Sequence, residues 1–260
     1  MLSVDKQGGV ARVTLDRPEL RNAFDDALIA SLTRVFLEME SDKTIRILIL
    51  AGNGPAFCAG ADLNWMKRMA GYGYEENLAD AKALATMLAT LDRLPKPTIA
   101  RVHGPAFAGG TGLVAACDIA VGTPEAKFCL SEAKLGLSPA TISPYVIRAM
   151  GERLARRYFL TAEVFDAEEA YRIGMLSALV SSAELDPFID GMTKHLLSGG
   201  PQAHARIKEL IRAVAHRPVD DALAADTAKR IAEIRVSPEG GEGIASFLEK
   251  RKASWCSGKS

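Results

Sequence analysis

Residues 97–123 read PTIARVHGPAFAGGTGLVAACDIAVGT, and this stretch contains three predicted segments, two strands and a helix. PTIARVHG (97–104) and IAVGT (119–123) are apolar and rich in β-branched residues, which is typical of strands. Between them, GGTGLVAACD (109–118) predicts a short helix. Strands joined by a helix form the repeating unit of α/β proteins, so we predict that class.

The same order of elements extends towards the N-terminus. VARVTLD (10–16) and IRILILAG (45–52) predict two further strands. The second is expected to be buried on both faces, because its apolar run is almost continuous. Helices are predicted over residues 24–39, with Asn22 as N-cap, and over residues 75–93.

AKFCL (126–130) is the last predicted strand, and the pattern beyond Ala140 predicts helices only. Ser143-Pro144 is typical of a helix start, with the serine as N-cap and proline in the first turn. We therefore predict a core domain over residues 1–198 and a helical C-terminal lobe over residues 199–260.

The composition of the 260 residues excludes several classes of protein. Lys plus Arg and Asp plus Glu both count 32, so no basic field attracts nucleic acid or anionic lipid. No apolar stretch is long enough to span a bilayer, and no signal peptide is recognisable. The four cysteines form no CxxC pair, so we expect reduced thiols, no metal site and a cytoplasmic location.

Two glycine loops follow predicted buried strands, and each precedes a helix. They are FCAGADL (57–63) and GPAFAGGTGL (104–113). A helix start offers unpaired N–H groups and a positive dipole end, so two such loops brought together predict an oxyanion hole. Glycines that only permit tight turns are the alternative explanation. Neither loop matches a dinucleotide or P-loop motif.

Glu132, in FCLSEAKLG (128–136), is the candidate acid–base residue. It follows a strand of apolar and small residues, and partial desolvation there would raise its pKa towards neutrality. An ordinary surface glutamate is the alternative. His103 ends a predicted strand and is expected to be packed rather than catalytic, and no GxSxG serine is present.

Taken together, these segments resemble the crotonase family, the enoyl-CoA hydratase/isomerase superfamily. The resemblance extends over nearly the whole chain and implies a core of repeated ββα turns, a helical C-terminal trimerisation lobe and coenzyme A thioester substrates. Coenzyme A is then part of the substrate, no separate cofactor is expected, and a homotrimer or a dimer of trimers is implied. Its motifs are RPELRNAF (17–24), FCAGADL (57–63), HGPAFAGGTGLVAACD (103–118), FCLSEAKLG (128–136) and GIASFLEKR (243–251).

The resemblance assigns roles to individual positions of this chain. It places the two oxyanion donors on the backbone N–H groups of Ala59 and Gly109, and the proton-transfer role on Glu132. It also implies substrate-binding positions along the coenzyme A channel, at the pantetheine end and near the C-terminus: Arg21, Ala23, Ala61, Asp62, Leu63, Phe247 and Lys250.

One position departs from the family pattern. Short-chain hydratases carry two glutamates that hold a water, and the first of these falls on Gly112 here. Residues 128–163 also look like the bacterial branch assigned to methylglutaconyl-CoA and carboxygeranoyl-CoA hydratases, the former in leucine breakdown. We expect the substrate's second carboxylate, Ser143 or Tyr145 to help hold the water that Gly112 cannot. We therefore predict a hydratase of branched or carboxylated enoyl-CoA, with a one-glutamate isomerase or a non-catalytic acyl-CoA binder as alternatives.

Overall fold

The computed structural model describes residues 1–256. The last four residues of the predicted C-terminal lobe, 257–260, lie outside the described part. Within that part the strands are β1 (Leu2–Gln7), β2 (Val10–Leu15), β3 (Ile47–Gly52), β4 (Thr98–Val102), β5 (Ala106–Phe107), β6 (Ile119–Gly122), β7 (Lys127–Cys129), β8 (Phe165–Asp166) and β9 (Ala178–Leu179).

Helices connect and cover these strands. They are α1 (Asp26–Ser41), α2 (Leu63–Met69), α3 (Tyr74–Arg93), α4 (Gly109–Ala116), α5 (Ser143–Met150), α6 (Glu152–Thr161), α7 (Ala167–Arg172), α8 (Leu185–Ser198), α9 (Pro201–Val214), α10 (Asp221–Arg235) and α11 (Pro238–Leu248). Three short 3₁₀ helices lie at Pro18–Leu20, Ser131–Leu135 and Ser254–Cys256.

The strands form two sheets. The larger sheet has the order β1-β2-β3-β4-β6-β9, with β1 antiparallel to β2 and the remaining pairs parallel. The smaller sheet has the order β5-β7-β8. Because β4 is followed by β5 and then α4, the end of the larger sheet leads directly into the smaller one. This turn places the start of α4 beside the loop that follows β3.

Apolar side chains cover both faces of the larger sheet, as the continuous pattern of β3 predicts. Leu48 and Leu50 belong to the main core beneath α1 and α3, and Ile47 and Ile49 face a second cluster against α8. Successive residues of a strand point to opposite faces, so one uninterrupted apolar run serves both cores.

Three details of the predicted elements were wrong. Two short strands, β8 and β9, follow Ala140, where helices alone were predicted. The N-cap of α1 is Asp25, whose side chain accepts from the Leu28 N–H at 2.7 Å. Asn22 is instead buried at φ 58°, and its amide donates to the carbonyls of Asn53 and Ala56, each at 2.9 Å.

Ser143 does not cap α5 either. It is the first residue of that helix, and its hydroxyl donates back to the Ala140 carbonyl at 2.8 Å. The hydroxyl is therefore used in the turn that precedes the helix, so Ser143 is held by an internal contact.

An ion pair with a buried lysine connects the C-terminal helix α9 to the larger sheet. Lys208 on α9 is only 8% exposed, and its ammonium donates to Asp118 Oδ2 at 2.6 Å. The same carboxylate oxygen accepts from the hydroxyl and the backbone N–H of Thr98 on β4. Within residues 1–256, no helix combines the length and the apolar character needed to cross a membrane.

Candidate active site

The first glycine loop is held by pairing with the segment before α1. The Phe24 N–H donates to the Gly60 carbonyl at 2.6 Å, and the Asp62 N–H donates to the Phe24 carbonyl at 2.7 Å. This is a short parallel bridge between Phe24 and Ala61. In such a bridge the intervening N–H points away from the partner strand. The Ala61 N–H accordingly has no acceptor within the described chain, and Ala61 lines a cavity.

The same pairing corrects the predicted donor Ala59. Its N–H donates to the Arg21 carbonyl at 2.9 Å, so this donor is already occupied. Ala59 lines the cavity, but the N–H in this loop that is free to bind an oxygen belongs to Ala61, two residues further on. Ala61 therefore changes from a flanking position to a candidate oxyanion donor.

Gly109 supplies the second free N–H. As the first residue of α4 it has no preceding helical carbonyl to bond, and it lines the same cavity. Ala108, directly before it, has φ 46° and ψ −116°, a strained conformation for a residue with a Cβ. A Cβ on Gly109 would lie 2.6 Å from the ring of Phe24, so a side chain here meets the wall of the cavity.

Glu132 lies where the sequence places it, in the 3₁₀ helix just after β7. Its side chain is partly buried and lines the cavity. Oε2 is buried and has no hydrogen-bond partner among residues 1–256. Burial raises the pKa of this carboxyl above the usual range of glutamate. These properties are those expected of a group that exchanges a proton with a bound molecule.

The first glutamate of the family pattern falls on Gly112, and the space where its side chain would begin is filled by another residue. Gly112 is buried in α4, and a Cβ built on it would lie 2.3 Å from Cγ2 of Ile142 and 2.8 Å from its Cβ. Ile142 therefore occupies the space beside Gly112, and it lines the cavity. The wall opposite Glu132 in the family pattern is thus apolar in this chain.

These groups share one cavity of about 420 Å³. Its wall combines the two loops, Glu132 and a largely apolar region contributed by α2, α3 and the segment before α5. The remaining residues of the wall are Trp65, Met66, Met69, Asn77, Asp80, Ala81, Leu84, Ala108, Ser131, Leu135, Leu137, Ser138, Pro139, Ala140 and Thr141.

Tyr145, predicted to help hold a water, does not line this cavity. It packs partly buried against the core, with the Arg148 guanidinium 5.7 Å from its ring centre. Burial and nearby Asp92 raise the pKa of its phenol. Ser143, whose hydroxyl donates to the Ala140 carbonyl, does not line the cavity either, so neither predicted water ligand is in place.

Asp62 and Leu63 flank the first loop without lining the cavity. Asp62 is 5% exposed, and its Oδ1 accepts from the Asn64 and Trp65 N–H groups at 2.8 and 3.2 Å, which caps α2. Its Oδ2 accepts from Arg17 at 3.3 Å. Leu63 is 74% exposed. Asp62 therefore fixes the loop, whereas Leu63 is free for contact with a large ligand.

The remaining predicted binding residues lie outside the cavity wall of this chain. Arg21 is exposed with φ 49°, and Ala23 is buried. Phe247 on α11 is 82% exposed, and Lys250 follows that helix with φ 53°. Their roles in coenzyme A binding stay predictions. His103 is packed as predicted, with its Nε2 2.9 Å from the Gly54 carbonyl oxygen.

Most residues of the wall were not predicted as site residues, among them Phe24, Trp65, Asp80 and Ile142. Phe24 is part of the quoted motif RPELRNAF, so its position was available. Trp65 and Asp80 lie on helices whose apolar patterns indicate only packing. Nothing in the sequence indicates that Ile142 would fill the space beside Gly112.

Two free N–H groups and a partly buried carboxyl in one cavity are typical of an enzyme that stabilises an anionic oxygen while a proton moves. Known proteins that are similar to this chain in sequence and fold belong to that class. A family model described as enoyl-CoA hydratase/isomerase matches residues 5–258. The crystal structure of an enoyl-CoA hydratase from Shewanella pealeana is 46% identical, covers 98% of this chain and 95% of that one, and superimposes with a TM-score of 0.95.

Two curated relatives are similar over almost the whole chain. The enoyl-CoA hydratase AKT6-1 of Alternaria alternata is 36% identical, with 95% of this chain and 81% of that protein aligned. The short-chain-enoyl-CoA hydratase of Clostridium acetobutylicum is 30% identical over 96% of this chain and 95% of its own length. The chain therefore belongs to the enoyl-CoA hydratase/isomerase family, and its fold is the α/β crotonase fold that the sequence predicted.

Proposed function

We propose that the protein adds water across the double bond of 2-enoyl-CoA thioesters. The observation that supports this most directly is the cavity that the free N–H groups of Ala61 and Gly109 share with Glu132, whose Oε2 has no hydrogen-bond partner in the described chain. The N–H pair suits the thioester oxygen, which becomes negative when the double bond is attacked. Named hydratases among the relatives support the same reaction.

In the proposed reaction the oxygen of water forms a bond to C3, and the electron pair of the double bond moves towards the thioester. The resulting enolate oxygen is held by Ala61 and Gly109. Glu132 takes a proton from the water and delivers one to C2, so the net change is addition of one water. One well-placed oxyanion donor is worth about 3–4 kcal/mol of barrier, and proton transfer by a positioned group adds about 10²–10⁴-fold.

Isomerisation is the second candidate, and Gly112 supports it. Moving a double bond between C3 and C2 requires one proton shuttle and no bound water. Ile142 fills the space beside Gly112, so Glu132 has no second carboxylate next to it at that place. In hydration by this chain, Glu132 alone must therefore take the proton from water and deliver one to C2.

We also propose that the acyl chain is uncharged, which revises the carboxylated substrate favoured by the sequence. The charged side chains in the cavity wall within residues 1–256 are Glu132 and Asp80, and both are acidic. No lysine or arginine of that wall is available to pair with a second carboxylate. An acyl carboxylate would be desolvated beside like charges, which is unfavourable.

A thioester panel tests these proposals. Purified protein is mixed with crotonyl-CoA, hex-2-enoyl-CoA, hex-3-enoyl-CoA and 3-methylglutaconyl-CoA while the ultraviolet band of the conjugated thioester is followed. Hydration removes the band from 2-enoyl substrates, and isomerisation creates it from the 3-enoyl substrate. The proposal fails if no band changes, and faster loss with 3-methylglutaconyl-CoA than with hex-2-enoyl-CoA would restore the carboxylated acyl chain.

Assembly into a trimer, implied by the family resemblance, is part of the proposal. Phe247 and Lys250 lie outside this chain's own cavity wall, so they can reach coenzyme A only across a subunit boundary or along an extended ligand. Phe247 is 82% exposed, which leaves its ring available for such a contact.

A further inference from the structure

The turn that leads from β5 into α4 contains one polar side chain. Residues 106–112 read AFAGGTG, and Thr111 in this stretch is fully buried. Its hydroxyl donates to the Ala106 carbonyl at 2.7 Å and lies 3.5 Å from the Cys129 carbonyl oxygen. Thr111 does not line the cavity. Any effect of Thr111 on a bound molecule must therefore pass through another residue.

The hydrogen bond of Thr111 spans a longer stretch of chain than is usual in a helix. A threonine hydroxyl inside a helix commonly bonds the carbonyl three or four residues earlier. Thr111 instead reaches Ala106, five residues earlier, across Ala108 and Gly109. The bond thus closes a ring of backbone that includes the second free N–H of the cavity.

Ala108 lies inside this ring, with φ 46° and ψ −116°. Because a peptide unit is planar, the ψ angle of Ala108 sets the direction in which the Gly109 N–H points. A residue with a Cβ keeps such a strained conformation only where the surrounding structure holds it. The direction of the Gly109 donor therefore depends on the contacts around Ala108.

Two backbone hydrogen bonds hold Ala108 directly. Its N–H donates to the Cys129 carbonyl at 2.7 Å, and its carbonyl accepts from the Gly112 N–H at 3.1 Å. The bond from Thr111 adds the contribution of a side chain, since it ties the first turn of α4 to the strand residue two positions before Ala108. Of these three bonds, it is the one that a substitution can remove while the backbone stays the same.

We propose that Thr111 is a positioning residue of the oxyanion site. Its hydroxyl joins α4 to β5 and so keeps Ala108 in the conformation that directs the Gly109 N–H towards the thioester oxygen. The inference rests on the proposed function, because it concerns the oxyanion site of that same cavity.

The carbonyl stretch of a bound thioester tests this role without turnover. Hexanoyl-CoA labelled with ¹³C at C1 is followed by infrared difference spectroscopy, since hydrogen bonds to the carbonyl oxygen lower its stretching frequency. Thr111→Val keeps the shape of the side chain and removes the hydroxyl. We expect the shift on binding to fall to about half of the wild-type shift, because one of the two donors is misdirected.

Kinetics with hex-2-enoyl-CoA give a second measurement. A misdirected donor should lower kcat by about tenfold, less than the 10²–10³-fold effect of removing a donor outright, and leave KM within about threefold. Thr111→Ser keeps the hydroxyl and should restore both the shift and kcat. If Thr111→Val folds poorly, Thr111→Cys replaces it in the comparison with Thr111→Ser, because a thiol is a weak donor.

Thr193→Val is the matched control. Thr193 on α8 is 7% exposed, its hydroxyl donates to the Asp190 carbonyl at 2.9 Å, and it does not line the cavity. Losing this bond should lower Tm in the same way as Thr111→Val does. The carbonyl shift and kcat should stay at their wild-type values.

The outcomes separate this role from the proposed function. A wild-type shift in Thr111→Val, an equal loss of shift in Thr193→Val, or a wild-type protein that shifts the carbonyl not at all would overturn the positioning role. If the shift falls in Thr111→Val and returns in Thr111→Ser, but no enoyl-CoA is hydrated or isomerised, the proposed function fails while the positioning role stands.

Discussion

The carboxyl group of Glu132 combines a buried, unpaired oxygen with a raised pKa. If it moves the proton in the reaction, Glu132→Gln should lower kcat by about 10²-fold or more, because an amide cannot exchange that proton. Affinity for hexanoyl-CoA should change little. In the wild type, the acid limb of the pH–rate profile should lie above the ordinary glutamate pKa, since the group must ionise to accept a proton from water. Full activity of the variant would contradict the role.

The raised pKa of Glu132 also predicts an effect on stability: Glu132→Gln should stabilise the folded protein although it lowers kcat. A carboxyl whose pKa is raised on folding binds its proton more tightly in the folded state, so stability falls as pH rises from the ordinary to the raised pKa. Glu132→Gln removes this loss. The variant should therefore have a higher Tm than the wild type at pH 7, and the difference should largely vanish near pH 4, where both states are mostly protonated. Equal Tm values at both pH values would show that Glu132 is not destabilised by burial.

Gly112 lies where the packing leaves no room for a side chain. A Cβ there lies 2.3 Å from Cγ2 of Ile142, so Gly112→Ala should destabilise the protein by about 1–3 kcal/mol through overpacking. Adding Ile142→Ala should cost less than the two single changes together, because the shorter side chain frees space for the new methyl. The measurement is urea unfolding. Gly191→Ala on α8 is the control, since it has open space around it and should be neutral or stabilising.

The loop before α2 is fixed by one carboxylate. Asp62 caps the helix through Asn64 and Trp65 and pairs with Arg17, so Asp62→Ala should cost about 1–2 kcal/mol of stability and displace the adjacent Ala61 N–H. We expect kcat to fall with it. Asp220→Ala removes a similar cap, the 2.8 Å bond to the Leu223 N–H, and neither residue lines the cavity. Loss of stability in both variants with loss of kcat only in the first would support the assignment, whereas equal kcat values would contradict it.

Elements with a strong local pattern were predicted well from the sequence. The apolar run of β3 and the periodic pattern of α3 depend on neighbouring residues only, and both were confirmed within a few residues. The strands β8 and β9 have two residues each, and pairing with distant strands defines them. Such contacts leave no periodic signal in so short a segment.

The candidate site shows the same division between local and long-range information. The two glycine loops and Glu132 follow strands, and they could be found from the sequence. Which N–H of the first loop is free depends on its pairing with Phe24, some 35 residues away in sequence, so Ala59 was chosen and Ala61 missed. Likewise, the cavity positions of Trp65 and Asp80 arise only when α2 and α3 pack over the loops.

For the molecule as a whole, the helices from α9 onwards leave apolar side chains uncovered. Within residues 199–256 the large exposed apolar residues include Ile207, Ile211, Val219, Ile231, Val236, Ile244, Phe247 and Leu248. Single exposed apolar residues are normal, but such a concentration on a few helices is typical of surfaces that bind another protein chain. A second and third copy of this chain would cover them, as the proposed trimer requires.

Sedimentation at micromolar concentration tests this assembly. The wild type should sediment with about three or six times the 27.8 kDa mass of one chain. Ile211 on α9 is 58% exposed, and Ile211→Asp would place a charge in the proposed interface, so it should shift the protein towards monomer. Leu37→Asp on α1, at a site 50% exposed, introduces the same charge outside these helices and should leave the assembly intact. A wild-type monomer would refute the trimer. An unchanged trimer in Ile211→Asp would instead show that this part of α9 faces solvent, and would move the interface towards α11 and Phe247.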